Sequence, residues 1–278
     1  MSAVTSQSRG SLRLPLPLQA GLAILALVLA CALFPAALAP YDPLAFDFAA
    51  LLQAPGVAHL FGTDNFGRDI LSRVISAARV DIQIALFATL APMLAGTLLG
   101  LVVGYLGGWP DIVLGRVIDL VLTFPFLVIV IAIVAVLGPG LINMYVAVSV
   151  VGWVFYARLM RGEVMVQKQA DYVAAARVLG YGPPRILFAH ILPNAFRPIL
   201  VYWVTDMALK ILLGSSLGYL GLGAQPPEAE WGVLIADGKN FFTQAWWMTF
   251  FPGAAIVLAG LGFSLSGDGL ADLMDVKR

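Results

Sequence analysis

Charge is scarce in this chain. Aspartate, glutamate, lysine and arginine together make up 12% of its 278 residues, and sixteen basic side chains balance sixteen acidic ones. Soluble domains carry roughly a quarter charged residues, and a neutral chain has no electrostatic footprint for nucleic acid. Cysteine is nearly absent too. Cys31 is the single example, which excludes a disulfide framework and a cysteine metal site. Histidine occurs only at His59 and His190. A buried nucleophile needs a base beside it; these histidines are expected on opposite sides of a membrane, and neither lies near Cys31. An intramembrane hydrolase is therefore not supported. Gly238-Lys239-Asn240 lacks the glycine spacing and the Ser/Thr of a phosphate-binding loop, so an autonomous ATPase fails as well.

What fills the chain instead is apolar side chain, 60% of all residues. A bilayer can hold that much, because there the surrounding solvent is itself apolar. A spanning helix needs ~20 largely apolar residues, and six stretches qualify: Leu18–Ala39, Ile82–Tyr105, Ile112–Leu137, Met144–Met160, Pro198–Leu222 and Thr249–Ser266. Arg9 and Arg13, the apolar run and Ala37-Leu38-Ala39 follow the order of a secretory signal. The run exceeds the usual ~7–15 residues of a signal core, so an uncleaved span is expected. Placing the N-terminus inside puts Arg9, Arg13, Arg116, Arg158, Arg161, Lys168, Arg177, Arg185, Arg197, Lys277 and Arg278 on the cytoplasmic side. Only Arg68, Arg73, Arg79 and Lys239 fall outside, as the positive-inside rule requires. The expected layout is a cytoplasmic 1–17, a first span over 18–39, an external segment 40–81, a five-helix core over 82–266 with a cytoplasmic loop at 164–194, and a cytoplasmic tail 267–278.

The polar segments carry more specific signals. In the external segment, Gly62-Thr63-Asp64 and Gly67-Arg68-Asp69 combine turn glycines with helix-capping side chains. Beyond them Ile70, Leu71, Val74, Ile75 and Ala78 recur at helical spacing, predicting an amphipathic helix that aims the second span. Trp246 and Trp247 are expected to mark the outer interface before the last span. Between the fourth and fifth spans, Tyr172, Ala175, Ala176 and Leu179 form an apolar stripe on a short helix from Asp171 to Leu179. Gly180 is placed to stop it. Pro183-Pro184 then opens a second helix, which Pro193 is expected to close. The product is a helix–turn–helix elbow rimmed by Lys168, Arg177, Arg185 and Arg197.

Two charged pairs lie inside apolar runs. Asp206 and Lys210 are one turn apart and can partly neutralise each other. They either line a wet path or form a buried structural pair. Arg116 and Asp119 are expected to be a structural pair near the cytoplasmic end. Gly214, Gly218, Gly221 and Gly223 offer small surfaces for close helix packing.

The sequence Tyr172-Val173-Ala174-Ala175-Ala176-Arg177, Gly180 and His190-Ile191-Leu192-Pro193-Asn194 resembles the cytoplasmic coupling loop of binding-protein-dependent ABC importer permeases. The motifs around Gly62 and Gly67 resemble the external signature of the dipeptide/oligopeptide/nickel group. Arg116 with Asp119 and Phe124-Pro125, Gly221-Leu222-Gly223-Ala224-Gln225-Pro226-Pro227, Trp231-Gly232, Phe251-Pro252-Gly253 and Gly267-Asp268-Gly269-Leu270 extend the similarity along nearly the whole chain. Two positions depart from it: Ala174 stands where the loop's glutamate is usual, with Asp171 the nearest acid, and Gly214 stands where many relatives carry glutamate.

The resemblance implies an all-α membrane protein of six spans, the type I importer permease fold, with both termini inside. It implies a second permease subunit, two ATP-binding subunits and an extracytoplasmic solute-binding protein as partners. ATP and magnesium would sit on the partner ATPases, with no cofactor on this chain and no covalent chemistry. The elbow, with Asp171, Tyr172, Ala174, Ala175, Ala176, Arg177, Gly180, His190, Leu192 and Pro193, would couple ATP-driven motion to the spans. Cargo would be di- or oligopeptides or a nickel complex; the lack of a His, Met or Cys cluster leans towards peptides. An ion-coupled carrier or channel is the alternative, and it would leave the elbow idle.

Overall fold

The computed structural model describes residues 14–274. Arg9, Arg13, Lys277 and Arg278, four of the charges that set the expected orientation, lie outside the described residues. Among the described residues the regular elements are helices, with one antiparallel bridge between Thr63 and Asp69. Five helices are long and apolar enough to cross a membrane, or six when one bent pair counts as a single span.

The expected first span is divided. Helix α1 runs Leu16–Leu33 and α2 runs Pro35–Leu38. Pro35 pushes the preceding residue out of the helical region, and Phe34 takes φ −123° at the break. Helix α3, Ile70–Leu106, merges the expected amphipathic helix and the second span into 37 continuous residues. At ~1.5 Å per residue it exceeds a bilayer core of about 30 Å, so its first turns project beyond the apolar layer. Asp69 caps it, accepting from the Ser72 amide at 2.8 Å.

The expected third span is broken. Helix α4, Gly108–Leu122, and helix α5, Phe126–Leu137, meet at an angle of 84°. Pro125 lacks the amide that would continue the ladder and disfavours helix at Phe124. Helix α6, Leu141–Gln167, packs extensively along α3. A stripe of Gly96, Gly100 and Gly104 makes that approach close: a Cβ at Gly96 would strike the Trp153 carbonyl, and one at Gly100 the Ala157 carbonyl.

Helix α7, Asp171–Val178, follows, then α8, Pro183–Arg185, a π-helical turn Ile186–Ile191, and α9, Leu192–Tyr219. The last three form one continuous 37-residue helix, Pro183–Tyr219. The expectation that Pro193 closes a separate helix is corrected here. Pro193 lies inside the continuous helix just after the π turn Ile186–Ile191, whose wider register absorbs its missing amide. Helix α10, Trp231–Gly238, and helix α11, Trp247–Leu273, complete the chain, with α11 packed on α1, α9 and α10. Trp246 is exposed as an interface residue would be. Trp247 is buried instead and donates its indole N–H to the Thr63 carbonyl at 3.0 Å.

Candidate functional site

Helix α7 is held from one side only. Val173 and Ala176 are buried, joining Tyr156, Met160, Val164, Ile186, Ile191, Ala195 and Ile199 in one apolar cluster. The expected stripe is rotated from this contact: of Tyr172, Ala175, Ala176 and Leu179, only Ala176 turns inwards. Ala174, Ala175, Val178 and Leu179 face outwards, with Tyr172, Arg177 and Asp171 beside them. Asp171 makes no ion pair among the described residues. Phe188, on the π turn, is exposed nearby in sequence. A short helix with two anchoring residues and an outward apolar face is suited to entering a groove on another protein.

Gly180 ends α7 with φ +78°. Its amide donates to the Arg177 carbonyl at 3.0 Å, and the Tyr181 amide donates to Ala176 at 3.1 Å. These are the two bonds of a Schellman cap. A Cβ at Gly180 would touch nothing within 4 Å, so substitution acts through the backbone alone. Gly180→Ala is expected to cost about 1–2 kcal/mol locally, the penalty of left-handed backbone with a Cβ. Faster amide exchange over Asp171–Tyr181, with no change in the spans, is the measurement that checks it. Past the cap, Arg185 stacks its guanidinium over Tyr181 at 4.0 Å, and the half-buried His190 places Nδ1 3.2 Å from the Arg185 carbonyl. Leu192 is partly buried and Pro193 is exposed.

Asp206 and Lys210 lie further along the same continuous helix. The Lys210 ammonium donates to Asp206 Oδ1 at 2.9 Å, and the Tyr156 hydroxyl donates to Oδ2 at 2.7 Å. Phe126 places its ring 4.8 Å from Lys210 Nζ. Both charged side chains are buried within the chain, at 2% and 6% exposure. The pair therefore ties α9 to α6 and abuts the start of α5. Tyr156 belongs to the cluster that seats α7, so contiguous packing runs from α7 to Asp206.

At the opposite end, Asp64 organises the segment that precedes α3. It accepts from Arg68 Nε at 2.6 Å, Arg73 Nη1 at 2.7 Å, and the amides of Phe66 and Arg68. Arg73 continues to Asp237 on α10 at 3.2 Å. Asp69 receives His59 Nδ1 at 2.9 Å as well as Ser72. Thr63 accepts from the Gln53 amide at 2.8 Å, and Gly62 and Gly67 both take positive φ. These six positions form one buried knot that fixes residues 40–69 to α3 and α10.

Residues 96–278 match the family described as binding-protein-dependent transport system inner membrane component. The chain belongs to this family. It is 42% identical to the probable D,D-dipeptide transport system permease protein DdpC of Escherichia coli (strain K12), over 91% of this chain and 85% of that protein. It is 43% identical to the dipeptide transport system permease protein DppC of Alkalihalophilus pseudofirmus, over 81% and 74% respectively. It is 40% identical to the glutathione transport system permease protein GsiD of Pectobacterium atrosepticum, over 97% and 89%. The protein is thus a multi-pass inner-membrane component of a transport system.

Three features of this permease were not found by sequence reasoning. Tyr156, the third member of the Asp206–Lys210 group, sits in an apolar run with nothing to distinguish it. Asp111 pairs with Arg161, Oδ2 to Nη2 at 2.8 Å, and joins α4 to α6. Most notable is a pair of fully buried carboxyls, Asp81 on α3 and Glu230 at the cap of α10. The two interact electrostatically. Asp81 also accepts from the Trp231 amide at 3.1 Å, and Glu230 accepts from the amides of Gly232 and Val233. The one sequence signal was an acid immediately before the apolar run that begins at Ile82.

Proposed function

We propose that this permease is one of two membrane subunits of an ATP-driven importer for di- or oligopeptides. Two ATP-binding subunits would engage it from the cytoplasm and a solute-binding protein from outside, with the chain itself performing no covalent chemistry. What supports the peptide class is the naming of the relatives, which specifies D,D-dipeptide, dipeptide and glutathione transport. The observation that carries the coupling role is α7, with its Val173/Ala176 anchor and outward Ala174, Ala175, Val178 and Leu179.

In this reading ATP draws the ATPase subunits together and displaces α7. The displacement passes through the shared cluster into the Pro183–Tyr219 helix, because α8, the π turn and α9 are continuous. The spans then alternate between inward- and outward-facing arrangements. Coupling of this kind requires that α7 meet the ATPase differently in the two states. Asp206 and Lys210 serve as an internal clamp on α6 and α9, since their enclosure by Tyr156 and Phe126 leaves them little surface for cargo. An ion-coupled carrier would give the exposed face of α7 no task.

Ala175→Asp tests the coupling. Ala175 is exposed, so the substitution should leave insertion and folding near wild type, within about 0.5 kcal/mol. A charge set in the docking groove is expected to lower recovery of ATPase subunits with the tagged permease about tenfold or more, and peptide uptake with it. Wild-type uptake after deletion of every ATPase partner would overturn the importer reading.

A further inference from the structure

Charged cavities lie at both ends of α6. At the end beside α7, Arg116 and Asp119 line an open space of about 270 Å³ with Asp111, Arg158 and Arg161. The expected Arg116–Asp119 pair is not among the described ion pairs, yet acids and guanidiniums of one chain answer each other there. The far end is different. An open cavity of about 680 Å³ lies between α3, the start of α6 and residues 225–228. Gln83, Phe87, Asn143, Tyr145, Gln225 and Glu228 line it, and no lysine, arginine or histidine does. Glu228 is exposed and makes no ion pair among the described residues.

The polar side chains of this lining are biased towards accepting. Asn143 donates its Nδ2 hydrogens to the carbonyls of Leu137 and Gly138 at 3.0 and 3.1 Å. Gln225 donates Nε2 to the carbonyls of Gly221 and Gly223, both at 3.1 Å. Each amide has spent its N–H groups and keeps its oxygen. The Glu228 amide donates to the Gln225 carbonyl at 3.1 Å, so the carboxylate stands on a tied turn. Phe87 and Tyr145, with ring centroids 5.9 Å apart, add aromatic faces.

Two amide oxygens, one carboxylate and aromatic rings match a cation rich in hydrogen-bond donors. A divalent metal ion is poorly served by a single carboxylate, and the described residues hold no group of three or more His, Cys, Asp or Glu. A primary ammonium has three donors and no acceptor. The volume lies within the ~300–1,000 Å³ of small-molecule pockets, room for a short peptide and not only for one side chain of a docking protein. We propose that this cavity is a cargo subsite that receives the α-ammonium group of a peptide, with Glu228 as its counter-ion. The proposal rests on the peptide-importer reading above and names where on this chain the cargo is held.

The test uses the full-length chain assembled with its second permease and ATP-binding subunits, without the solute-binding protein. The probe is alanine joined to a diazirine-bearing leucine, compared with its N-acetylated form. After irradiation, adducts are mapped by mass. The free-amine probe is expected to label the segments around Phe87 and Tyr145. Acetylation or Glu228→Gln should each lower that labelling about tenfold, the loss of one charge-assisted contact, while Glu228→Asp should retain most of it. Glu228 is exposed, so these variants should fold as wild type does.

Labelling that Glu228→Gln leaves unchanged, or adducts confined to other parts of the complex, would overturn the subsite while the importer reading stands. So would a Glu228→Gln variant that labels normally and instead fails to recover the solute-binding protein, since Glu228 would then be a docking residue. Uptake of dialanine by the complete wild-type system is measured alongside. Its absence would remove the peptide reading, and the subsite with it.

Discussion

Asp206→Ala is expected to destabilise the folded permease by about 3–5 kcal/mol, the cost of leaving one member of a buried ion pair uncompensated. The Lys210 ammonium would remain buried with the Phe126 ring as its nearest electrostatic partner, and the Tyr156 hydroxyl would lose its acceptor. At about 2–4 °C per kcal/mol for a chain of this size, the melting temperature in detergent should fall by about 6–20 °C. The double change Asp206→Leu with Lys210→Met removes both charges together. It is expected to lie within about 1 kcal/mol of wild type or above it, because well-packed apolar residues often replace a buried pair without loss. Uptake then separates the two roles. A clamp predicts that the double variant transports peptide near the wild-type rate, whereas a path-lining pair predicts a stable, inserted protein that no longer transports. The second result would return Asp206 and Lys210 to the translocation path.

Hydropathy made the spans legible, because it is a local quantity that each stretch carries by itself: Met144–Met160 and Thr249–Ser266 fall inside α6 and α11. Mechanical connections were harder to read. Pro193 has the properties of a helix stop, and only the π turn before it lets the helix continue through it. A π turn has no residue signature that would have announced the fusion of elbow and span. In α7, an alanine-rich helix of eight residues offers several nearly equivalent faces, so the buried face, Val173 and Ala176, is chosen by the neighbours at Tyr156 and Ile191. Thr63, Asp64 and Asp69 read as capping residues from the sequence, and Asp69 caps α3. The ion pairs of Arg68 and Arg73 with Asp237 join segments distant in sequence and leave no periodic trace. The same limit hid Glu230 from Asp81.

That last pair predicts a pH dependence. Two carboxyls buried side by side cannot both ionise without a large cost, so the pair retains a proton. Burial pushes the Glu230 carboxyl above its ordinary value of 4.5, and the proton belongs to the Asp81–Glu230 pair as a unit. A carboxyl raised in the folded state contributes stability that is complete below its unfolded pKa. That contribution is lost as pH rises through the folded value. The Trp231 amide on Asp81 joins α10 to α3, with Ser215 of α9 3.5 Å from Asp81. The melting temperature of the purified permease should therefore decline as pH is raised from about 4.5. Asp81→Asn supplies an amide donor to an ionised Glu230 and removes the need for the proton. It is expected to flatten the decline and to raise the melting temperature at alkaline pH by about 2–4 °C for each kcal/mol recovered. Asp81→Ala should instead leave Glu230 buried without that partner and destabilise the protein at every pH. An Asp81→Asn profile as steep as wild type would place the titrating proton elsewhere.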